Sequence, residues 1–163
     1  MCQNPIFFVN ILCLRSEHIG KEDYMLIGSS LHNIDSKGRI IIPAKLRRDL
    51  DETAVITYSG REPCLYLYPL TEWEKLEESI SRLDPVEARE VRRTLVANAQ
   101  ETDIDTQGRM LVPQDARQYA ELEDDVKIIG QTIRVEIWNN DKWNEYRTRK
   151  SGEVDAILEK MGF

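Results

Sequence analysis

Asp35-Ser36-Lys37-Gly38-Arg39-Ile40-Ile41-Ile42-Pro43 occurs a second time, seventy residues on, as Asp105-Thr106-Gln107-Gly108-Arg109-Met110-Leu111-Val112-Pro113. Asp, Gly, Arg and Pro keep their places, a hydroxyl residue follows each Asp, and three apolar residues precede each Pro. The same offset carries Leu65, Leu67 and Trp73 onto Val135, Ile137 and Trp143, and aromatic Tyr68 onto Trp138. A register kept over that distance is an internal duplication.

One copy can be read residue by residue. Leu31-His32-Asn33-Ile34 is extended in character, and Asp35 opens a turn. Its carboxylate can accept backbone amides two or three residues on, while Gly38 can take the positive φ that closes the loop. Ile40-Ile41-Ile42 is a β-branched run suited to a buried strand. Pro43 ends that strand and starts a helix from Ala44 to about Arg48. The unit is strand, tight Asp/Gly loop, strand and short helix, with Lys37 and Arg39 at an exposed tip. Asp35, Gly38, Asp105 and Gly108 are the loop-organising residues.

The phrase D-x-x-G-R-hydrophobic-x-hydrophobic-P-x-x-x-R resembles the swapped-hairpin motif of the AbrB superfamily of DNA-binding proteins. Two copies joined by a charged helical segment resemble the MraZ family of bacterial regulators, over about Met25 to Trp143. The resemblance implies an α+β fold: a double-split, swapped-hairpin β-barrel made by two tandem repeats, with connecting helices. It further implies assembly into homo-oligomeric rings, double-stranded promoter DNA as partner, and repression of the chain's own division and cell-wall gene cluster from a cytoplasmic, nucleoid-associated position.

Size agrees with halves that interleave. The chain has 163 residues and a mass of 19.0 kDa. A half of about 70 residues would be marginal alone, because small domains bury too little surface. With 41% hydrophobic and 31% charged residues, the composition is that of an ordinary globular protein. The net charge of −7 argues mildly against a nucleic-acid partner. It is unevenly spread, however. Asp35 to Leu50 holds five basic and two acidic residues, whereas Asp105 to Ala120 holds two of each. Cys2, Cys13 and Cys64 have neither disulfide-framework nor zinc spacing, which points to a reducing compartment.

Residues 1–24 lie outside the repeat. Pro5 to Leu14 is apolar, but no Lys or Arg precedes it and no small-residue cleavage site follows, so it is a poor signal peptide. It is also too short to span a bilayer. Lys21-Glu22-Asp23 can be encoded by a strong ribosome-binding sequence placed just ahead of a Met25 start codon. Residues 1–24 are therefore expected to be a non-native extension. Residues 25–70 would form repeat 1, 71–100 a helical connector, 101–145 repeat 2, and 146–163 a helical tail.

Within that frame, Val55 to Tyr58 and Cys64 to Tyr68 read as a hairpin. Alternating Leu and Tyr in the returning strand suggest core on one face rather than base-stacking platforms. Thr71 with Glu74 matches a capping box, followed by Trp73, Leu76, Ile80 and Leu83 at helical spacing. Asp84-Pro85 with Glu87 starts another helix, whose Arg89, Arg92 and Arg93 fit a solvated face or an intersubunit ion pair with nearby Glu better than phosphate contacts. In repeat 2, Val126 to Ile129, a Gly130-Gln131 turn and Ile133 to Trp138 read as the hairpin, and Asn140 as the cap of the Trp143 helix. The tail carries Val154, Ile157, Leu158 and Met161 at the spacing of a short packing helix.

No catalytic constellation, metal-ligand spacing or cofactor motif is present in the sequence. His32 stands on a presumed strand without a base or nucleophile, and His18 lies in the leader. No enzyme activity, cofactor, metal, membrane or small-molecule substrate is expected. For DNA, Arg39 is the foremost candidate, since an arginine can donate two hydrogen bonds to guanine O6 and N7. The competing reading is an ion pair to Asp35 that holds the loop. Lys37 suits a guanine or a phosphate, and Arg47 and Arg48 suit phosphates, with an internal ion pair open to Arg47. Arg109 is balanced between DNA and structure. Gln107 for Lys37 and Asp115 for Lys45 make the second tip less basic, so the first is expected to dominate affinity. A ring of such loops would read short, G-rich direct repeats spaced by about one helical turn of DNA. The alternatives are another AbrB-like regulator, an antitoxin, or an oligomeric scaffold that binds proteins.

Overall fold

The computed structural model describes residues 25–163; the expected leader falls outside them. The elements run β1 (Leu26–Asn33), β2 (Arg39–Ile41), α1 (Ala44–Leu50), β3 (Thr53–Tyr58), β4 (Cys64–Pro69), α2 (Leu70–Ser81) and α3 (Pro85–Thr94). A 3-10 turn at Val96–Asn98 leads into β5 (Gln100–Asp103), β6 (Arg109–Leu111), α4 (Gln114–Tyr119), β7 (Asp125–Thr132), β8 (Val135–Asn139) and α5 (Asn140–Met161). The chain is α+β with antiparallel pairing throughout.

The strands that flank the loops pair with the opposite half. β1 pairs with β7, β5 with β3, and β2 with β6. The larger sheet has the order β1-β7-β8-β4-β3-β5, which is unchanged when the halves are exchanged. Its centre is the Tyr66–Glu136 pair, and the centre of the small β2–β6 ribbon is the Ile40–Met110 pair. Both pairs join residues seventy apart, so a pseudo-two-fold axis passes through both sheets.

Strand alternation sorts the side chains. Leu65, Leu67, Val135 and Ile137 join Ile40, Ile42, Met110, Val112, Leu46 and Leu50 in one core drawn from both halves. Each half supplies part of both sides of this core: Leu65 and Leu67 of β4 with Ile40 and Leu46 from one, Val135 and Ile137 of β8 with Met110 and Ala116 from the other. The other face of the larger sheet is covered by helices. Val55 and Tyr68 meet Trp73 of α2, and Cys64 and Trp138 meet Trp143 and Tyr146 of α5. The alternating Leu and Tyr of β4 thus serve two packing layers. Burial pushes the Cys64 thiol up to about 12, which makes it a poor nucleophile.

Several local expectations are corrected. The Ile40-Ile41-Ile42 run is not buried throughout: Ile41 is 50% exposed, as is its counterpart Leu111 at 54%. The β2–β6 ribbon has one covered face and one open face. α2 begins at Leu70 after Pro69, so Thr71 lies inside the helix and caps nothing. Asp84 does cap α3, accepting from the amides of Val86 and Glu87. The cap of α5 is Asn139, one residue earlier than expected, with Oδ1 accepting from Asp141 and Lys142. β7 continues through Gly130-Gln131, and the reversal comes at Thr132 to Arg134. Gly130 marks a close approach instead of a turn: a Cβ there would lie 2.6 Å from the Leu26 carbonyl carbon.

α5 runs unbroken from Asn140 to Met161, and Gly162, at φ 87°, ends it in the left-handed conformation. Its stripe of Val154, Ile157, Leu158 and Met161 is exposed, so the expected packing helix does not bury this face among the described residues. No helix among the described residues is long and apolar enough to cross a membrane.

Candidate nucleic-acid interface

Each loop is built around its aspartate. Asp35 Oδ1 accepts from the backbone N–H of Lys37 and of Arg39, both at 2.9 Å, and the Gly38 amide donates to the Asp35 carbonyl at 2.8 Å. Gly38 sits at φ 78°, as the turn requires. The Arg39 Nε and Nη2 groups both reach Asp35 Oδ2, at 2.8 and 2.7 Å. The second loop repeats this at Asp105: Gln107 and Arg109 amides at 2.9 Å, Arg109 Nε at 2.7 Å, Gly108 at φ 82°.

These bonds account for the carboxylate electrostatics. The Arg39 backbone amide, then its guanidinium, hold Asp35 down at about 2, and Arg109 lowers Asp105 in the same way. Charge-assisted donors stabilise the ionised form. The ion pair expected as the competing reading of Arg39 is therefore present. It occupies the Nε/Nη2 edge of the guanidinium and leaves the Nη1/Nη2 edge without a protein partner among the described residues. An arginine so anchored is pre-oriented, which lowers the entropy lost on forming a further bidentate contact.

The two loops interlock. The Ile42 amide donates to the Gly108 carbonyl at 2.8 Å, and the Val112 amide to the Gly38 carbonyl at 2.9 Å. Helix side chains follow the same exchange. The Arg47 guanidinium lies across Gly108, with its Cζ 2.8 Å from where a Cβ would stand, and its Nη1 donates to the Thr106 carbonyl at 3.4 Å. Arg117 lies across Gly38 in the same manner. The Nε atoms of both are buried without a partner among the described residues. Among the described residues, the internal contact open to Arg47 is thus made with a glycine loop and a carbonyl, not with an acid.

Arg117 was missed by sequence reasoning, although the signal was there: it is the arginine four residues after Pro113, as Arg47 is after Pro43. The exchange leaves the charge asymmetry as it was. Lys37 and Arg39 gain Arg117 as a neighbour, while Arg109 gains Arg47. Arg48 is open to solvent, 74% exposed, with Nε 3.3 Å from Asp49. Asp115 is engaged by the Tyr58 hydroxyl at 3.0 Å, and Tyr58 stacks on Tyr119 of the other repeat at 4.3 Å.

The open face of the ribbon completes the geometry. Because Arg39 pairs with Leu111 and Ile41 with Arg109, these four side chains lie on one face, arginines on one diagonal and aliphatics on the other. Elsewhere, Arg89 and Arg93 sit against Glu90 of the same helix at 3.4 and 3.1 Å. His32 Nε2 is 3.0 Å from Ser30 Oγ, on β1. Among the described residues no cluster of three or more His, Cys, Asp or Glu is arranged to hold a metal.

Comparison with known proteins gives a consistent result. The family model described as "MraZ protein, putative antitoxin-like" matches twice, over residues 25–94 and 95–161. A protein of Acetivibrio thermocellus named transcriptional regulator MraZ is 43% identical over 140 residues, covering 84% of this chain and 96% of that protein. Proteins of the same name from Caldicellulosiruptor bescii and Clostridium tetani are 44% and 42% identical, with the same coverage.

Proposed function

This chain belongs to the MraZ family of transcriptional regulators, and from that premise we propose that it binds specific double-stranded DNA through the β2–β6 ribbon and its two loops. The observation that carries the reading is the open edge of Arg39. Asp35 fixes the guanidinium, and the remaining Nη1/Nη2 edge has the fork spacing that guanine O6 and N7 accept. Lys37 beside it serves a phosphate or a second guanine. Arg109 offers the same edge from the other loop, and Arg48 is open to the backbone of the duplex. Arg47 is a support for the second loop whose cation adds to the local field.

On this reading the two sheets act as one double-split, swapped-hairpin barrel, with the ribbon lying next to β1 and β5. Support comes from the shared core and from the bridge between Ile104 and Met110. The exposed stripe of α5 supports assembly of several copies, since contiguous exposed apolar surface marks interaction sites. A ring would place loops at regular intervals, matching direct repeats about one DNA turn apart, and avidity would raise a weak single contact. The regulated target would be the chain's own division and cell-wall gene cluster, in the nucleoid. The same α5 stripe is what would favour an oligomeric protein scaffold as the second reading.

Titration of wild type and Arg39→Ala against DNA from upstream of the gene, at two salt concentrations, tests the proposal. Specific binding by wild type, lost in a folded Arg39→Ala protein, is the expected result. Equal binding by both would remove the loop as reader, and oligomers that bind no DNA would leave the scaffold.

A further inference from the structure

We propose that Ile41 and Leu111 read the 5-methyl group of thymine in the major groove, between the arginines that read guanine. This rests on the DNA-binding reading above and assigns the ribbon a second recognition chemistry. Both residues stand on β-strands whose neighbours are fully packed: Ile40, Ile42, Met110 and Val112 are at most 1% exposed, whereas Ile41 and Leu111 are 50% and 54% exposed. A single exposed aliphatic is ordinary on a protein surface. Here two occur at equivalent positions of the duplication, on one face of a ribbon with three residues per strand. Each is directly opposite an arginine, Leu111 to Arg39 and Ile41 to Arg109. The cations of that face fit the charge of a duplex.

The chemistry follows from what a major groove displays. It admits a two-stranded ribbon, and among its hydrogen-bonding edges thymine adds a methyl group that no other base presents. An aliphatic side chain held at the base edges finds its largest apolar contact in that methyl. Rows two residues apart on a strand are about 6.6 Å apart, close to two base steps of about 3.4 Å. The ribbon therefore presents a guanine-reading and a thymine-reading group in each row, and the target should hold thymine within about two steps of the contacted guanines.

Replacement of thymine by deoxyuridine removes the methyl and nothing else. The experiment titrates wild type, Ile41→Ala, Leu111→Ala and the double variant against the upstream DNA, prepared with thymine or with deoxyuridine throughout. Wild type should bind the deoxyuridine form more weakly, by about fourfold for each contacted methyl, the worth of one buried methyl-sized group. Each single variant should show a smaller ratio, and the double variant a ratio near one. Ile41→Val, which keeps an aliphatic surface, should retain the discrimination; its retention with a matched melting temperature separates reading from folding. The variants also cancel any change in DNA shape caused by deoxyuridine. Equal binding of both DNA forms by wild type would overturn the inference while leaving DNA binding intact. A double variant that discriminates as well as wild type would place the methyl contact elsewhere and overturn it too. If the variants change only the size of the assembly, the face belongs to a contact between copies and the inference falls. Absence of any specific DNA binding by wild type would remove the function proposed above, and this inference with it.

Discussion

The guanidinium of Arg117 lies across Gly38 of the other repeat, its Cζ 2.7 Å from the place a Cβ on residue 38 would occupy. Arg47 and Gly108 repeat the relationship in reverse, so each loop is roofed by an arginine from the opposite half. The loops proposed to meet DNA are thereby parts of one unit.

Gly38→Ala should lose stability for two separable reasons. The φ of 78° costs a side-chain-bearing residue about 1–3 kcal/mol, and the new methyl displaces Arg117. Urea denaturation of Gly38→Ala, Arg117→Ala and the double variant checks this. The double variant should be more stable than the sum of the singles by roughly 0.5–3 kcal/mol. Strict additivity would show that Arg117 does not press on the loop.

Asp35 links the loop to pH. Its carboxyl lies near 2 when folded, below its ordinary 3.8, so its stabilising contribution is complete above 3.8 and disappears as pH falls through about 2. Asp105 is shifted in the same direction and adds to the same acid window. Stability of Asp35→Asn should therefore fall less steeply than that of wild type between pH 5 and pH 2. Side-chain carboxyl titration by NMR reads the shift directly.

At the pseudo-two-fold axis the duplication has diverged. Glu136 is nearly buried, accepting from Arg134 Nη2 at 3.1 Å and from the Trp138 indole at 3.0 Å, while the Arg134 guanidinium carbon sits 4.0 Å from the centre of the Tyr66 ring. Burial holds the Tyr66 hydroxyl up at about 12. Glu136→Gln leaves Arg134 under the rings without its counter-charge. The cost should be roughly 1–3 kcal/mol, less than for a fully buried pair, because Arg134 keeps 24% exposure. Thermal unfolding with and without Arg134→Met measures it.

Lys37 and Arg39 should separate in their salt dependence. Lys37→Ala should weaken binding to all sequences and lower the slope of log K against log salt by about one for each copy bound. Arg39→Ala should in addition flatten the preference between target and unrelated DNA. Identical behaviour of the two variants would mean that both contact only phosphate.

Removal of residues 151–163 should leave the fold unharmed, since none of them is buried. The unfolding free energy should stay within about 0.5 kcal/mol, whereas the mass in light scattering should fall if the α5 stripe joins copies. An unchanged mass would put the contact between copies on another surface.

The sequence by itself determined the duplication, the loops and their chemistry. Asp35, Gly38 and Arg39 act on one another within four residues, so the amide-accepting carboxylate, the positive φ and the paired guanidinium are local and were legible. Local punctuation marks boundaries unevenly: Asp84-Pro85 does start α3, whereas Gly130 mimics a turn because glycine serves turns and close approaches alike. Only the tertiary structure decided which half supplies each partner. Two near-equal copies have the same pattern of apolar residues, so pairing within a half and pairing across halves are indistinguishable along the chain. The exchange of β1, β2, β5 and β6 then fixes that Arg47 and Arg117 cross over, and that the middle residue of each apolar run faces outward. Side-chain period along a strand gives two faces, and it takes the packing of the other half to say that only one of them is covered.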